Sequence, residues 1–360
     1  MLIRPVGAAI GAPTLSRRGF AGLLGAAALA MRATPGHAAP AVERSVSVAP
    51  GLYELVVSTA TNLLHVASAG SRGGSEAKVV GLDLRTLEPR STIELGNEPV
   101  FGVAVNDRTG TLFGTSTRAG KVLAIDLRSG TVKARIGEGQ GAHVRQVIVD
   151  EARNRAFVSV FGARDRPSAI WMLDAAADGV AGVINEGLEG GIMGIALDPS
   201  GDRLFATALQ SNEIVEVSLS RKAGIRRFSS GAEGAINLAF DAASGRIFCA
   251  NQRSGRLTVL DAASGRLLAS LETGAGALGV ALSADGALAY VANRGAGTVS
   301  VVDARGLSVI ASVETGTHPN TVAVDRRSGL AYVTNKARMA PRGQPPVEDP
   351  SGDSVSLIRV

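Results

Sequence analysis

Seven segments of this chain share one grammar, and that repetition limits the fold more than any other feature. Each opens with a short apolar strand: ELVVS (54–58), GVAVN (102–106), QVIVD (146–150), GIALD (194–198), NLAFD (237–241), GVALS (279–283) and TVAVD (321–325). A turn such as DRTG, DPSG or DRRSG follows, then a second strand such as RLFATA, RIFCAN or LAYVAN. A polar loop leads to a third strand ending in Asp (KVLAID, RLTVLD, TVSVVD), and a fourth such as RLLASLETG completes the unit. The alternation within these stretches has the two-residue period of a β-strand. Successive units start 42 to 48 residues apart. Four strands at that period is the spacing of β-propeller blades.

The last unit ends after DSVSLIRV, its third strand, while RSVSVAPG (44–51) stands ahead of the first unit. The expected fold is therefore all-β: a single seven-bladed β-propeller of four-stranded antiparallel blades, with an N-terminal strand closing blade 7. A ring latched this way leaves no unpaired terminal blade. The 45 glycines and only 4% aromatic residues suit many tight turns and small packing residues.

Charge points away from a strongly basic protein. Residues 1–38 contain Arg4, Arg17, Arg18 and Arg32 but no acid, so the rest of the chain holds 33 basic against 32 acidic residues. The leader reads LSRRGFAGLLGAAALAMRATPGHA, and Ser16-Arg17-Arg18-Gly19-Phe20 resembles a twin-arginine export signal. Its apolar run is too short to span a bilayer. The expectation is a signal peptide over 1–38, a propeller over 39–360, a periplasmic location and no membrane insertion after processing. Cys249 is the only cysteine and lies within an apolar strand, so it is expected as a buried small hydrophobe.

Tyr332-Val333-Thr334-Asn335 matches the signature of the YVTN family of β-propeller repeats. GLYELVVS (51–58), VRQVIVDE around Arg145, AIWMLD (169–174) and THPNTVAV (317–324) are similar to segments of periplasmic YncE-type propellers. The resemblance covers roughly residues 45–360 and implies a propeller far more specifically than it implies any function. Units 2 and 4 depart from the signature, with FGTS and FATA in its place.

In a propeller the first strand of each blade lines the central channel. The anchor positions there read Glu54, Gly102, Gln146, Gly194, Asn237, Gly279 and Thr321, an alternation of polar residues with glycine. The glycines are read as widening the channel or letting polar neighbours lean across it. One residue earlier come Tyr53, Phe101, Arg145, Met193, Ile236, Leu278 and Asn320. With His143 and His318 they compose a mixed polar and apolar mouth of the kind that binds small ligands. The candidate ligand site is Tyr53, Glu54, His143, Arg145, Gln146, Asn237, His318 and Asn320. Arg145 would hold an anionic group, and Glu54 and Asn237 would orient polar atoms. Loops between second and third strands carry Arg72, Lys78, Arg118, Arg164, Arg166, Arg253, Arg294, Lys336, Arg338 and Arg342. The expectation is an inner basic collar, with Glu98, Glu138, Glu186, Glu189 and Glu233 as an outer acidic rim. Trp171 stands where other blades have Ser or Thr, so it is read either as packed between blades or as exposed for stacking.

These features favour a non-catalytic binding or scaffold propeller whose ligand is anionic, with single-stranded nucleic acid as one candidate. The alternatives are a lactonase-like hydrolase using Glu54 with His143 or His318, and a pure protein-interaction scaffold. No cofactor and no metal site is expected, because haem-attachment and C-x-x-C motifs are missing from the sequence.

Overall fold

The computed structural model describes residues 39–360 apart from 139–140, 163–165, 175–178, 342–343 and 345–346. The expected leader, with Arg17 and Arg18, lies outside the described residues, as do Arg164 and Arg342. The described chain forms seven four-stranded antiparallel sheets and no helix. The inner strands are Leu52–Ser58, Gly102–Asn106, Val144–Asp150, Ile192–Leu197, Ala235–Asp241, Ala277–Leu282 and Pro319–Val324. Each packs beside the next, and the last packs beside the first, so the ring is closed. Ala41–Ser47 pairs antiparallel with Ser354–Arg359 and is the outer strand of blade 7. The latch starts three residues earlier than RSVSVAPG.

The blades pack through the aromatic of each second strand. Phe113, Phe157, Phe205, Phe248, Tyr290 and Tyr332 are at most 1% exposed. Blade 1 places His65 in that register, also buried, with Nε2 on the Thr61 hydroxyl at 3.0 Å. Burial holds its pKa down at about 4 rather than 6.5.

The next residues of the signature do different work. The hydroxyl of Thr334 donates to the carbonyl of Tyr53 in the following blade at 2.6 Å. Thr115 and Thr207 bond the carbonyls of Arg145 and Ile236 in the same way, at 2.6 and 2.9 Å. This hydroxyl thus fastens one blade to the inner strand of the next. The signature Asn turns inward instead. Asn251, Asn293 and Asn335 each donate from Nδ2 to a hydroxyl on the third strand: Thr258 (2.9 Å), Ser300 (2.9 Å) and Ser356 (2.8 Å). In the other four blades the Asn position holds Ser68, Ser116, Val160 or Ala208. There the paired third-strand position holds Val80, Leu123, Trp171 or Val215. Blades 5, 6 and 7 thus fill this pocket with a polar pair and blades 3 and 4 with an apolar one, while in blade 1 Ser68 stands beside Val80 and donates instead to the Pro50 carbonyl at 2.7 Å.

The same position explains Trp171. The Ser and Thr at its equivalent positions are not signs of exposure, since Thr258, Ser300 and Ser356 are fully buried with partners. Trp171 is the apolar solution of the same site and is 3% exposed. Cys249 is also fully buried, and burial pushes its thiol up to about 12.

Candidate functional site

The anchor ring forms, but its glycines serve contact rather than width. A Cβ on Gly102 would come within 2.7 Å of the Arg145 carbonyl, and one on Gly194 within 2.6 Å of the Asn237 Cα. On Gly279 it would meet the Asn320 carbonyl at 2.5 Å. Each glycine lets the next blade's inner strand approach its own backbone. The polar residue of the preceding blade then completes the join. Glu54 Oε2 accepts the Val103 N–H (3.2 Å), and Gln146 Oε1 accepts the Ile195 N–H (2.7 Å). Asn237 Nδ2 donates to the Leu278 carbonyl (3.0 Å). The polar and glycine alternation is thus a set of inter-blade clips facing the channel.

Tyr53, Glu54, Arg145, Gln146, Asn237 and Asn320 share one small chamber on the axis, of about 130 Å³. Phe101, Met193, Ile236 and Leu278 complete its wall. Glu54 is half-buried, and its desolvation raises its pKa from 4.5 to about 7, against the bond from Val103 and the pull of Arg145. Desolvation also lowers the pKa of Arg145, against the pull of Glu54. His143 and His318 are not part of this chamber. His143 is an exposed loop residue whose carbonyl accepts the Phe161 N–H. His318 adopts a left-handed backbone (φ 46°), and its carbonyl accepts the Lys336 N–H. Partial burial, then Arg294 and Arg338, hold its pKa below the ordinary value. An acid–base pair of Glu54 with either histidine is not assembled in this geometry.

A second and larger cavity, about 470 Å³, lies off the axis on the same face. It shares Tyr53 and Phe101 with the axial chamber and is walled by the loops of blades 7, 1 and 2. Tyr53 and Phe101 meet edge to face, with centroids 4.6 Å apart. Arg118 stands 5.9 Å from the Phe101 centroid and Lys336 Nζ only 3.2 Å from that of Tyr53, so both rings face cations. Arg72 and Arg338 also line this cavity. Arg294 stands just behind, donating to Asn320 Oδ1 at 2.8 Å, while Asn320 Nδ2 reaches the Tyr53 carbonyl.

The basic loops meet most closely in one sector, where Arg72, Arg118, Lys336 and Arg338 line a single cavity. Lys78 pairs with Glu94, and Arg166 reaches the Glu138 carbonyl. On the rim, Glu98 is gripped by Arg135 and Glu189 lies against Arg227, both on outer strands. Arg72, Arg118, Arg166, Arg253, Arg294, Lys336 and Arg338 form no ion pair among the described residues. Sequence reading supplied these cations one loop at a time. That three loops converge on a shared aromatic pair follows only from ring closure.

Comparison with known proteins places this geometry among its relatives. The chain is 31% identical over 242 residues to the uncharacterized protein YncE of Escherichia coli K12, an alignment covering 62% of this chain. The protein of the same name from Salmonella typhi is 32% identical over 238 residues. The chain spans just under two thirds of the length of these relatives, 66% in each case. Residues 200–338 match the profile of the cytochrome D1 heme domain. In fold, the chain is similar to the β-propeller domain of Cps50 (Swd1) from Myceliophteria thermophila (TM-score 0.68, 11% identity, 89% of this chain and 99% of that one). Hydrazine synthase of Kuenenia stuttgartiensis gives a TM-score of 0.67 at 16% identity, over 81% of this chain and 94% of that one. The axial chamber does not fit a haem. The axial chamber is well below the roughly 300 Å³ at which small-molecule pockets begin. His65 is locked inside blade 1, and neither His143 nor His318 lines the axial chamber.

Proposed function

Starting from a chain that is a YncE-like seven-bladed β-propeller, we propose that it is an exported binding protein whose site is the off-axis cavity between blades 7, 1 and 2. The ligand is an organic anion with a flat, apolar portion. The observation that carries this reading is that Arg72, Arg118, Lys336 and Arg338, none of them in an ion pair, line one cavity with the Tyr53–Phe101 pair and a single acid, Asp353. In blade 4, by contrast, the buried cations are neutralised in the Asp198–Arg203–Glu216–Arg226 network. Cations held near one another without counter-ions repel, and an incoming anion relieves that repulsion. Arg72, Arg118 and Arg338 are exposed and would meet the anionic groups, while the two rings offer an apolar face. The axial chamber with Glu54, Arg145, Gln146, Asn237 and Asn320 is the floor beneath this site, and its size suits water or one small substituent.

Export to the periplasm through the twin-arginine route is part of the proposal, supported by Ser16-Arg17-Arg18-Gly19-Phe20. No helix among the described residues is long and apolar enough to cross a membrane. Calorimetric titration with 1-naphthyl phosphate and, separately, a short oligothymidylate tests the binding site. Binding of either that weakens with added salt and with Arg118→Glu supports it. Indifference of both probes to salt and to Arg118→Glu transfers the function to a protein-interaction surface.

A further inference from the structure

We propose that Lys336 is a covalent capture site, whose ε-amine condenses with the carbonyl of an anionic aldehyde or ketone held in the cavity between blades 7, 1 and 2. This inference rests on the reading of that cavity as the ligand site and narrows the ligand to a carbonyl-bearing anion.

The chain has five lysines, and four of them are ordinary. Lys78 pairs with Glu94, Lys133 bonds the Thr111 hydroxyl, and Lys121 and Lys222 are exposed. Lys336 is 5% exposed, yet it lines the cavity. It follows Asn335 directly, so the buried Asn335–Ser356 bond fixes where its backbone leaves the blade. Its Nζ sits over the Tyr53 ring at 3.2 Å, and no carboxylate among the described residues is within ion-pair distance.

The groups facing it decide its protonation. Burial comes first, then Arg294 and Arg118, which all disfavour the ammonium; Asp353 is the acid that opposes them. Asp353 Oδ1 is itself engaged by the N–H groups of Leu52 and Ala337. The resulting pKa is about 7, against 10.5 for an ordinary lysine. A neutral amine is the form that attacks a carbonyl. The guanidinium groups of Arg72, Arg118 and Arg338 supply the complementary grip on a carboxylate or phosphate of the same molecule.

The step balances without a further reactant. The amine lone pair adds to the carbonyl carbon, giving a carbinolamine. The carbon–oxygen bond then breaks, a carbon–nitrogen double bond forms, and the oxygen leaves as water with the two nitrogen protons. The condensation is reversible, so the protein would hold such a ligand without consuming it.

The test uses pyridoxal 5′-phosphate on the intact protein, followed by sodium borohydride to reduce any imine, and peptide mapping of all five lysines. The expected result is an adduct on Lys336 before any other lysine, with labelling that is half-maximal near pH 7. Labelling spread over Lys78, Lys121, Lys133 and Lys222 with Lys336 spared would overturn the inference. Pyridoxine 5′-phosphate, which lacks the carbonyl, separates the two claims. If it binds and is weakened by Arg118→Glu while Lys336 stays unlabelled, the anion site stands and the covalent step falls. If it does not bind and Lys336 still labels first, the covalent step stands and the anion site falls. The wild-type map needs no variant to fold, and Lys336→Met, checked by circular dichroism, should abolish the selective adduct.

Discussion

Replacing Glu54 by glutamine separates the two roles that the ring assigns to this position. Its carboxylate accepts the Val103 N–H, just as Gln146 accepts the Ile195 N–H two blades on. Glutamine should therefore keep the clip while removing the charge. Burial raises the Glu54 pKa from 4.5 to about 7. In that window the folded protein holds a proton that the unfolded chain has released, so Glu54 makes stability fall as pH rises. A shift of this size corresponds to at most about 3 kcal/mol, reduced by whatever water the channel holds. His65 acts in the opposite sense over an overlapping range. Its folded pKa of about 4 lies below 6.5, so the unfolded chain binds the extra proton and stability rises with pH. The wild-type curve alone mixes the two, and the difference between variant and wild type isolates Glu54. Chemical denaturation of both proteins across this range should show near-equal stability at about pH 4.5, with Glu54→Gln pulling ahead to a plateau above about pH 7. A difference that stays flat with pH would refute the buried, charge-disfavouring site. A large loss at every pH would instead show that the introduced amide does not make the clip.

Three further outcomes follow from the same geometry. Lys336→Met should stabilise the protein most below pH 7 and progressively less toward pH 10.5, because the depressed lysine pKa penalises the charged form at low pH; denaturation at pH 6 and pH 10 reads the sign. Asn251→Ala and Thr258→Val should each cost about 1–3 kcal/mol, but together less than their sum, because the double variant recreates the Ala208–Val215 pair of blade 4; a double-mutant cycle with no coupling would contradict the Asn251–Thr258 pairing. Gly194→Ala should cost about 1–3 kcal/mol by forcing blade 5 away from blade 4, and a thermal scan showing no loss would contradict the close approach to Asn237.

The blade count, the latch and the axial chamber were legible because each follows from spacing along the chain. Strand alternation and Asp- and Gly-rich turns are local signals, and a closed ring repeats them. What stayed hidden depends on the neighbouring blade. Gly102, Gly194 and Gly279 read as removed side chains, whereas their meaning is set by the backbone of the next inner strand. Trp171 read as exposable because Ser and Thr occupy its position elsewhere, until the partnering Asn made those hydroxyls buried ones. His143 and His318 were grouped with Glu54 by their nearness in sequence to inner strands, but neither lines the axial chamber with it. The basic loops were visible singly. That Arg72, Arg118, Lys336 and Arg338 line one cavity required blades 7, 1 and 2 to be neighbours and Lys336 to be buried against Tyr53.

The most direct test of the central claim is native mass spectrometry of the processed protein purified from its own organism, run beside the Arg118→Glu variant. The account predicts a bound organic anion on the wild type that is lost or much reduced in the variant. A bare chain mass in both, or a ligand retained equally by both, would contradict a site built from the cations around Tyr53 and Phe101.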